Sequence, residues 1–216
     1  MSNHEDPKKL LNSEYPLQIR KYILPATIEA YDMVKLAAED KEWISWIGSK
    51  DLMVHLRIYA VQYQISKLVD NGVFPNKFRY KIARNAADNC NHLEIYTDRS
   101  VMTISHVKYE KKIPPRAEFR LNKGISNQIA LDLGFEEFYR SATDPFYVLL
   151  THGGDEDGLK FVNLGIPDAY VQKWAWRINL FNEPYSLPQI DSEKIQDTKE
   201  LMNFKTKIEG AIKKDG

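Results

Sequence analysis

Residues 146–164 read FYVLLTHGGDEDGLKFVNL, and this stretch decides the fold of the C-terminal half. Two apolar runs, at 146–150 and 159–164, flank a polar stretch that holds three glycines and three carboxylates. Short apolar runs bounded by turn residues are typical of paired β-strands. The sequence therefore predicts a β-hairpin with an acidic turn, and with it a folded β core.

Alternation of apolar and polar residues predicts further strands on both sides of this hairpin. Three of them precede it and form a meander, and one follows it. Residues 126–140 fit a helix and a strand equally well, because their apolar residues satisfy both periods. The predicted strands lie near residues 91–97, 101–109, 117–121 and 174–180.

The N-terminal half instead follows the helical period of 3.6 residues. Helices are predicted at 26–39 and 51–70, and Asn71-Gly72 ends the second of them. A further helix is predicted at 77–88, where Asn76 supplies the N-cap, so that two helices form a helical hairpin.

These elements predict an α+β protein, in which N-terminal helices pack on a mostly antiparallel sheet of five or six strands and a C-terminal amphipathic helix follows. A flexible lead-in is expected because the first residues are polar and lack periodicity. The predicted divisions are a lead-in at 1–16, a single domain at 17–190 that is helical over 17–90 and sheet over 91–183, and the C-terminal helix at 191–216.

Composition narrows the class of protein. Thirty basic residues balance thirty acidic ones, so no global charge draws the chain to nucleic acid or to an anionic membrane. No apolar stretch is long enough to span a membrane, and the first residues lack a secretory apolar region. A single cysteine, Cys90, excludes an intrachain disulfide and a cysteine-rich zinc module. We therefore expect a soluble, cytoplasmic protein that does not act at a membrane.

Charge is nevertheless distributed unevenly along the chain. Residues 77–124 hold eleven basic and five acidic residues, a formal +6, whereas residues 125–168 hold two and eight, a formal −6. The two segments could neutralise each other within the fold or across a dimer, or the basic one could contact phosphates. The candidate nucleic-acid-binding residues are Lys77, Lys81 and Arg84 on one face of the predicted helix, with Arg116, Arg120 and Lys123 extending it.

A Glu-x-Lys triplet begins at Glu110, directly after a predicted strand, and Asp98 lies at the preceding turn. Metal-dependent nucleases use two carboxylates to hold magnesium and a lysine to position or activate water. The candidate catalytic residues are therefore Asp98, Glu110 and Lys112, with Mg²⁺ as the cofactor in that case alone. The competing interpretation is a solvated charge cluster.

The acidic turn offers Asp155 and Asp157 as oxygen ligands for a hard cation. Its spacing lacks the alternating ligands and the distal glutamate of a calcium loop, so a solvated turn is favoured and the metal site remains an alternative. The tryptophan pairs Trp43/Trp46 and Trp174/Trp176 are interpreted as core packing.

Together these features favour an intracellular, non-enzymatic binding or accessory protein without a cofactor. It would act through a protein partner or by self-association, with the basic segment as its interaction face. The alternative is a nucleic-acid-binding or magnesium-dependent nuclease-like protein that uses the same basic surface. The sequence leaves open whether the protein is an enzyme.

Overall fold

A computed structural model describes residues 6–46, 50–85, 90–127, 145–155 and 157–187. Six helices and six strands lie within these residues, and two short 3-10 turns follow α6 and β6 at Ile125–Asn127 and Leu180–Asn182. The helices are α1 (Pro7–Glu14), α2 (Leu17–Arg20), α3 (Ile23–Asp40), α4 (Glu42–Ser45), α5 (Lys50–Asp70) and α6 (Glu118–Gly124). The strands are β1 (Arg79–Arg84), β2 (Asn91–Tyr96), β3 (Ser100–His106), β4 (Phe146–Asp155), β5 (Gly158–Pro167) and β6 (Trp174–Asn179).

The strands form one sheet in the order β1-β2-β3-β4-β5-β6. All neighbours are antiparallel except β3 and β4, which run parallel. A parallel pair needs a crossover connection, and α6 lies within the one between these two strands. The predicted α+β class, with helices on a mostly antiparallel sheet of six strands, is confirmed. No helix in the described ranges is both long and apolar enough to cross a membrane.

One face of the sheet, which we call the helix face, packs against α1, α3 and α5. Alternation places apolar side chains of the four central strands on this face, where they meet apolar side chains of the helices. Burial of this apolar surface is the main source of stability. The fully buried members include Leu11, Ile23, Ala30, Val61, Ile65, Ile95, Met102, Val148, Leu150, Val162 and Leu164.

The predicted hairpin is confirmed as β4 and β5, and its turn is shorter than expected. The strands run to Asp155 and restart at Gly158, which has a positive φ of +121° as tight turns favour. A register shift at Gly153 and Gly154 keeps this end paired, and a Cβ on Gly153 would come within 2.4 Å of the Phe161 ring. Consequently His152 is a buried strand residue and not part of the turn.

The predicted helix at 77–88 is wrong, because residues Arg79–Arg84 form β1 and pair with β2. Tyr80 and Ile82 alternate with basic residues at a period of two, and this pattern decides the outcome once β2 is available as a partner. The helical hairpin therefore does not exist. Likewise the predicted strand at 117–121 is wrong, since Glu118–Gly124 is α6. Phe119 and Lys123, four residues apart, thereby share a helix face.

The N-terminal lead-in is also wrong for residues 6–14. Asp6 caps α1 by accepting a hydrogen bond from the Lys8 amide at 2.9 Å, and Leu11 is fully buried. Beyond the helix, the Tyr15 hydroxyl reaches Ser100 Oγ at 3.0 Å, in the buried interior. The start of the described chain is therefore an integral part of the core.

The tryptophans do not all pack as predicted. Trp43 and Trp46 are 65% and 68% exposed, so neither belongs to the core. Trp174 and Trp176 of β6 lie in different surroundings, because the pairing of β5 with β6 shifts register at Ile166 and Pro167. Trp174 packs on the apolar cluster that contains Tyr147. Trp176 is exposed, and the Lys8 ammonium lies over its ring. The ambiguous segment 126–140, except for its first two residues, and the predicted C-terminal helix at 191–216 lie outside the described residues.

Candidate functional site

The opposite face of the sheet, which we call the polar face, carries hydrophilic side chains on every strand. The β2 sequence His92-Leu-Glu-Ile-Tyr96 alternates, so its apolar residues enter the core and its polar ones point to the polar face. Strand register places Lys81 of β1 and Thr103 of β3 on either side of Glu94. These neighbours bring together residues that are far apart in sequence.

Glu94 is the centre of this site. Its side chain is only 4% exposed, yet it accepts hydrogen bonds from His92 Nε2 at 3.0 Å and from Lys123 Nζ at 2.8 Å, both at Oε1. On the other oxygen, the Tyr96 hydroxyl donates a short hydrogen bond and Lys81 Nζ lies at 3.5 Å. Burial alone would raise the pKa of Glu94, but the donors from His92, Lys123 and Tyr96 hold it well below its ordinary value of 4.5. Glu94 is therefore a permanent, internally neutralised anion.

His92 is fixed from both sides. Its Nε2 faces the Glu94 carboxylate, and its ring stacks on Phe119 of α6 with a centroid distance of 4.1 Å and an interplanar angle of 25°. The other ring nitrogen, Nδ1, is buried and has no hydrogen-bond partner among the described residues. The imidazole thus joins α6 to the sheet beside Lys123.

Next to Glu94, a pair of hydroxyl groups and Arg120 continue the site. The Tyr147 hydroxyl lies 2.6 Å from Thr103 Oγ1, and burial raises the pKa of Tyr147 to about 12. Arg120 donates to Ser105 Oγ at 3.2 Å and stacks over Phe119 at 4.7 Å. Burial also lowers the pKa of Arg120. The guanidinium nevertheless stays charged, because arginine is not deprotonated in proteins.

Three of the six predicted basic residues therefore converge. Lys81 and Lys123 share the Glu94 carboxylate, and Arg120 lies on the same face one turn of α6 away. Lys77 instead pairs with Glu14 at 3.6 Å, and Arg84 belongs to the other side of β1 by strand alternation. Arg116 is exposed just before α6.

The structure does not bring the predicted nuclease residues together. Asp98 is exposed at the turn before β3, and Glu110 follows its far end, so the seven residues of β3 separate them by about 20 Å. The Glu110 carboxylate accepts hydrogen bonds from Arg177 at 3.2 Å and Asn179 at 3.1 Å, while Lys112 is exposed. Glu110 consequently ties the crossover to β6.

The described residues of the acidic turn carry no converging ligand set. Lys160 Nζ lies between two of its three carboxylates, 3.3 Å from Asp155 and 3.5 Å from Asp157. Among the described residues, no group of three or more histidine, cysteine or carboxylate side chains could hold a metal ion. The turn is therefore an exposed ion-pair cluster.

Asn127 attaches the crossover to the sheet with three buried hydrogen bonds. Its Nδ2 donates to the carbonyls of Tyr147 at 2.8 Å and Pro167 at 3.0 Å, and its Oδ1 accepts from the Tyr147 amide at 2.7 Å. The sequence does not single out five residues of this site: Glu94, Tyr96, Thr103, Asn127 and Tyr147. The signal was available in the polar residues that alternate along three consecutive strands, a pattern that fits a covered polar face as well as a solvated one.

A second buried polar group lies on the helix face. His152 Nδ1 is 3.0 Å from the Tyr31 hydroxyl, and its ring meets the His106 ring edge-on at 5.5 Å. Burial, with His106 and Arg57 nearby, lowers the pKa of His152 to about 3. This histidine is therefore neutral, and its hydrogen-bond partner among the described residues is the Tyr31 hydroxyl.

The polar face thus offers fixed cations around one buried anion, at the edge of the sheet formed by β1 and β2. Of the sites in the described ranges, it alone combines several predicted interaction residues with defined contacts. Comparisons with family models, with curated proteins and with solved structures find no match.

Proposed function

We propose that this protein is a non-catalytic binding protein that receives an acidic segment of a protein partner. The binding face is the basic surface, defined as Arg79, Lys81, Arg116, Arg120 and Lys123. The observation that carries the proposal is the pair of lysines on the single Glu94 carboxylate, with Arg120 beside them. One carboxylate contacts two lysines, and Arg120 adds a third positive charge on the same face, so the surface keeps an excess of positive charge.

The buried carboxylate supports this role because it positions the cations in advance. Lys81 reaches Glu94 at 3.5 Å while its side chain remains 60% exposed, so its ammonium can face a ligand as well as Glu94. Lys123 is more enclosed and is held at 2.8 Å. Side chains that are already ordered lose less conformational entropy on binding, and this strengthens association.

The same contacts favour binding over catalysis. Glu94 accepts from four side chains, and one nitrogen of His92 is engaged with it while the other is buried. A general acid or base must instead reach a substrate proton within hydrogen-bond distance. The polar groups of this site hydrogen-bond to one another and so hold the charged side chains in place.

Nucleic acid is the second candidate for this surface, because phosphates would contact the same cations and Tyr96 lies among them. The formal charge of the whole chain is zero, so either ligand would bind through the local surface alone. Two measurements distinguish these candidates: the salt dependence of the affinity, and whether the chain binds the acidic peptide or nucleic acid more tightly.

Fluorescence anisotropy tests the proposal with three labelled probes: a short poly-glutamate peptide, single-stranded DNA and duplex DNA. The full chain should bind the peptide, and Lys81→Glu should weaken that binding by about tenfold, since it reverses an exposed charge at the site. The matched control is Lys111→Glu, which reverses an exposed charge next to Glu110, far from β1. It should leave the affinity unchanged.

Absence of peptide binding at low salt would contradict the proposal, as would equal effects of Lys81→Glu and Lys111→Glu. Tighter binding of DNA than of the peptide, with an affinity that falls steeply as salt rises, would instead establish the nucleic-acid alternative.

A further inference from the structure

β1 is an edge strand whose outer side is open within the described part of the chain. It pairs with β2 alone, at the end of the strand order. The opposite edge differs, because α1 packs against β6 and the Lys8 ammonium lies 5.2 Å from the Trp176 ring centre. Exposed edge strands present unpaired backbone groups on which another strand can form hydrogen bonds.

The hydrogen bonds of the β1–β2 hairpin identify these groups. The Asn85 amide donates to the Cys90 carbonyl at 3.0 Å, which makes these opposed residues a hydrogen-bonded pair. Such pairs alternate in an antiparallel ladder, so Lys81 bonds to β2 whereas Tyr80 and Ile82 direct their amides and carbonyls outward. In agreement, the residue opposite Ile82, Leu93, sends its amide away from β1 to Gln62 Oε1 at 3.0 Å.

The side chains of β1 alternate in chemistry as well as in direction. Arg79 and Lys81 project to the polar face, in register with Tyr96 and Glu94. Tyr80 and Ile82 project to the other side and are exposed, Ile82 to 60%. An incoming strand beside residues 79–82 would thus meet positive charge on one of its faces and the exposed Tyr80 and Ile82 side chains on the other, with Arg84 beyond them.

This pattern selects the kind of partner. Pairing of β1 with β1 of a second copy would bring basic residues close to basic residues across the new ladder, where like charges are destabilising. A strand whose acidic residues alternate with apolar ones meets both sides of β1 favourably. Strand addition gives affinity through backbone hydrogen bonds and selectivity through alternate side chains.

We propose that β1 binds its partner by strand addition, and that the partner segment is extended, with acidic residues alternating with apolar ones. The acidic residues lie beside Arg79 and Lys81, and the apolar ones beside Tyr80 and Ile82. The inference deepens the proposed function and rests on it, because it names the conformation and pattern of the acidic segment.

The test compares two labelled peptides of equal composition, one with alternating glutamate and valine and one with the same residues in two blocks. The full chain should bind the alternating peptide about tenfold more tightly. Ile82→Pro removes one outward amide but no bond to β2, and proline is accepted at such edge positions. It should weaken binding of the alternating peptide by about tenfold, whereas Ile82→Ala, which keeps the amide, should weaken it by about threefold.

Equal affinity for the two peptides, with both weakened by Lys81→Glu, would overturn strand addition and leave the proposed function standing. Binding of neither peptide would overturn both. If Ile82→Pro fails to fold, as circular dichroism would reveal, the comparison of the two peptides on the unaltered chain still decides.

Discussion

His92 and His152 are both buried in the same sheet, but they lie on opposite faces and in opposite electrostatic surroundings. His92 contacts the Glu94 carboxylate, whose remaining partners are two lysines and a tyrosine. His152 lies in the apolar core with the Tyr31 hydroxyl as its hydrogen-bond partner, and burial lowers its pKa to about 3. The surroundings of His152 thus disfavour a charge on the ring, whereas those of His92 gather charged groups.

The comparison separates the packing that stabilises the fold from the surface that we propose for binding. Apolar packing on the helix face needs only shape and hydrophobicity, and a neutral histidine can be included there. On the polar face, each buried charge needs hydrogen-bonding or oppositely charged partners, and these contacts fix the side chains in position. The interaction surface that we propose lies at the exposed rim of that second arrangement.

The largest expected effect comes from removing the central anion. Glu94→Ala should lower the free energy of unfolding by about 4 kcal/mol, because it leaves Lys123 and His92 without their buried partner. Urea unfolding measures this change. Asp155→Ala is the control, since its exposed pair with Lys160 contributes only about 0.5 kcal/mol. Similar values for the two variants would show that the polar face does not depend on Glu94.

The second prediction concerns pH and the helix face. The folded pKa of His152, about 3, lies below its ordinary value of 6.5, so the unfolded chain binds the proton more tightly. Its contribution to stability is complete above pH 6.5 and is lost as pH falls towards 3, by about 1.4 kcal/mol per pH unit and about 3 kcal/mol at pH 4.

Unfolding titrations at several pH values test this against the double variant Tyr31→Phe/His152→Leu, which removes both hydrogen-bonding partners together. The variant should lose less stability on acidification than the unaltered chain. Parallel pH profiles would contradict a neutral, buried His152.

The smallest of these effects concerns the attachment of the crossover to the polar face. Asn127→Ala should lower the free energy of unfolding by about 2 kcal/mol, because it leaves the Tyr147 amide and the carbonyls without buried partners. Ser126→Ala is a matched control, since among the described residues that hydroxyl bonds the nearby Lys123 carbonyl, at 2.6 Å. Equal unfolding midpoints for the two variants would remove Asn127 from this role.

The same two faces explain what could be predicted from sequence. The hairpin β4–β5 and helices α3 and α5 follow local apolar patterns, and those patterns face the core directly. The segment at 79–84 is harder to predict because its basic residues suit a helix period and a strand period alike, and only pairing with β2 selects the strand.

The candidate site was harder to predict because its contacts are long-range. Glu94 in an alternating strand resembles a solvent-facing residue until α6 supplies Lys123 and Phe119. The structure brings Lys81, Arg120 and Lys123 to one face of the sheet, and their role in binding stays a prediction. The separation of Asp98 from Glu110 could not be judged without the extent of β3.

Strand addition to β1 can be measured by residue-resolved amide hydrogen exchange on the full chain, with and without the alternating glutamate-valine peptide. We expect slower exchange at the outward amides of Tyr80 and Ile82, with little change in the hairpin turn of β4 and β5. Unchanged exchange in β1 under saturating peptide, or protection confined to β6 or to the acidic turn, would contradict it.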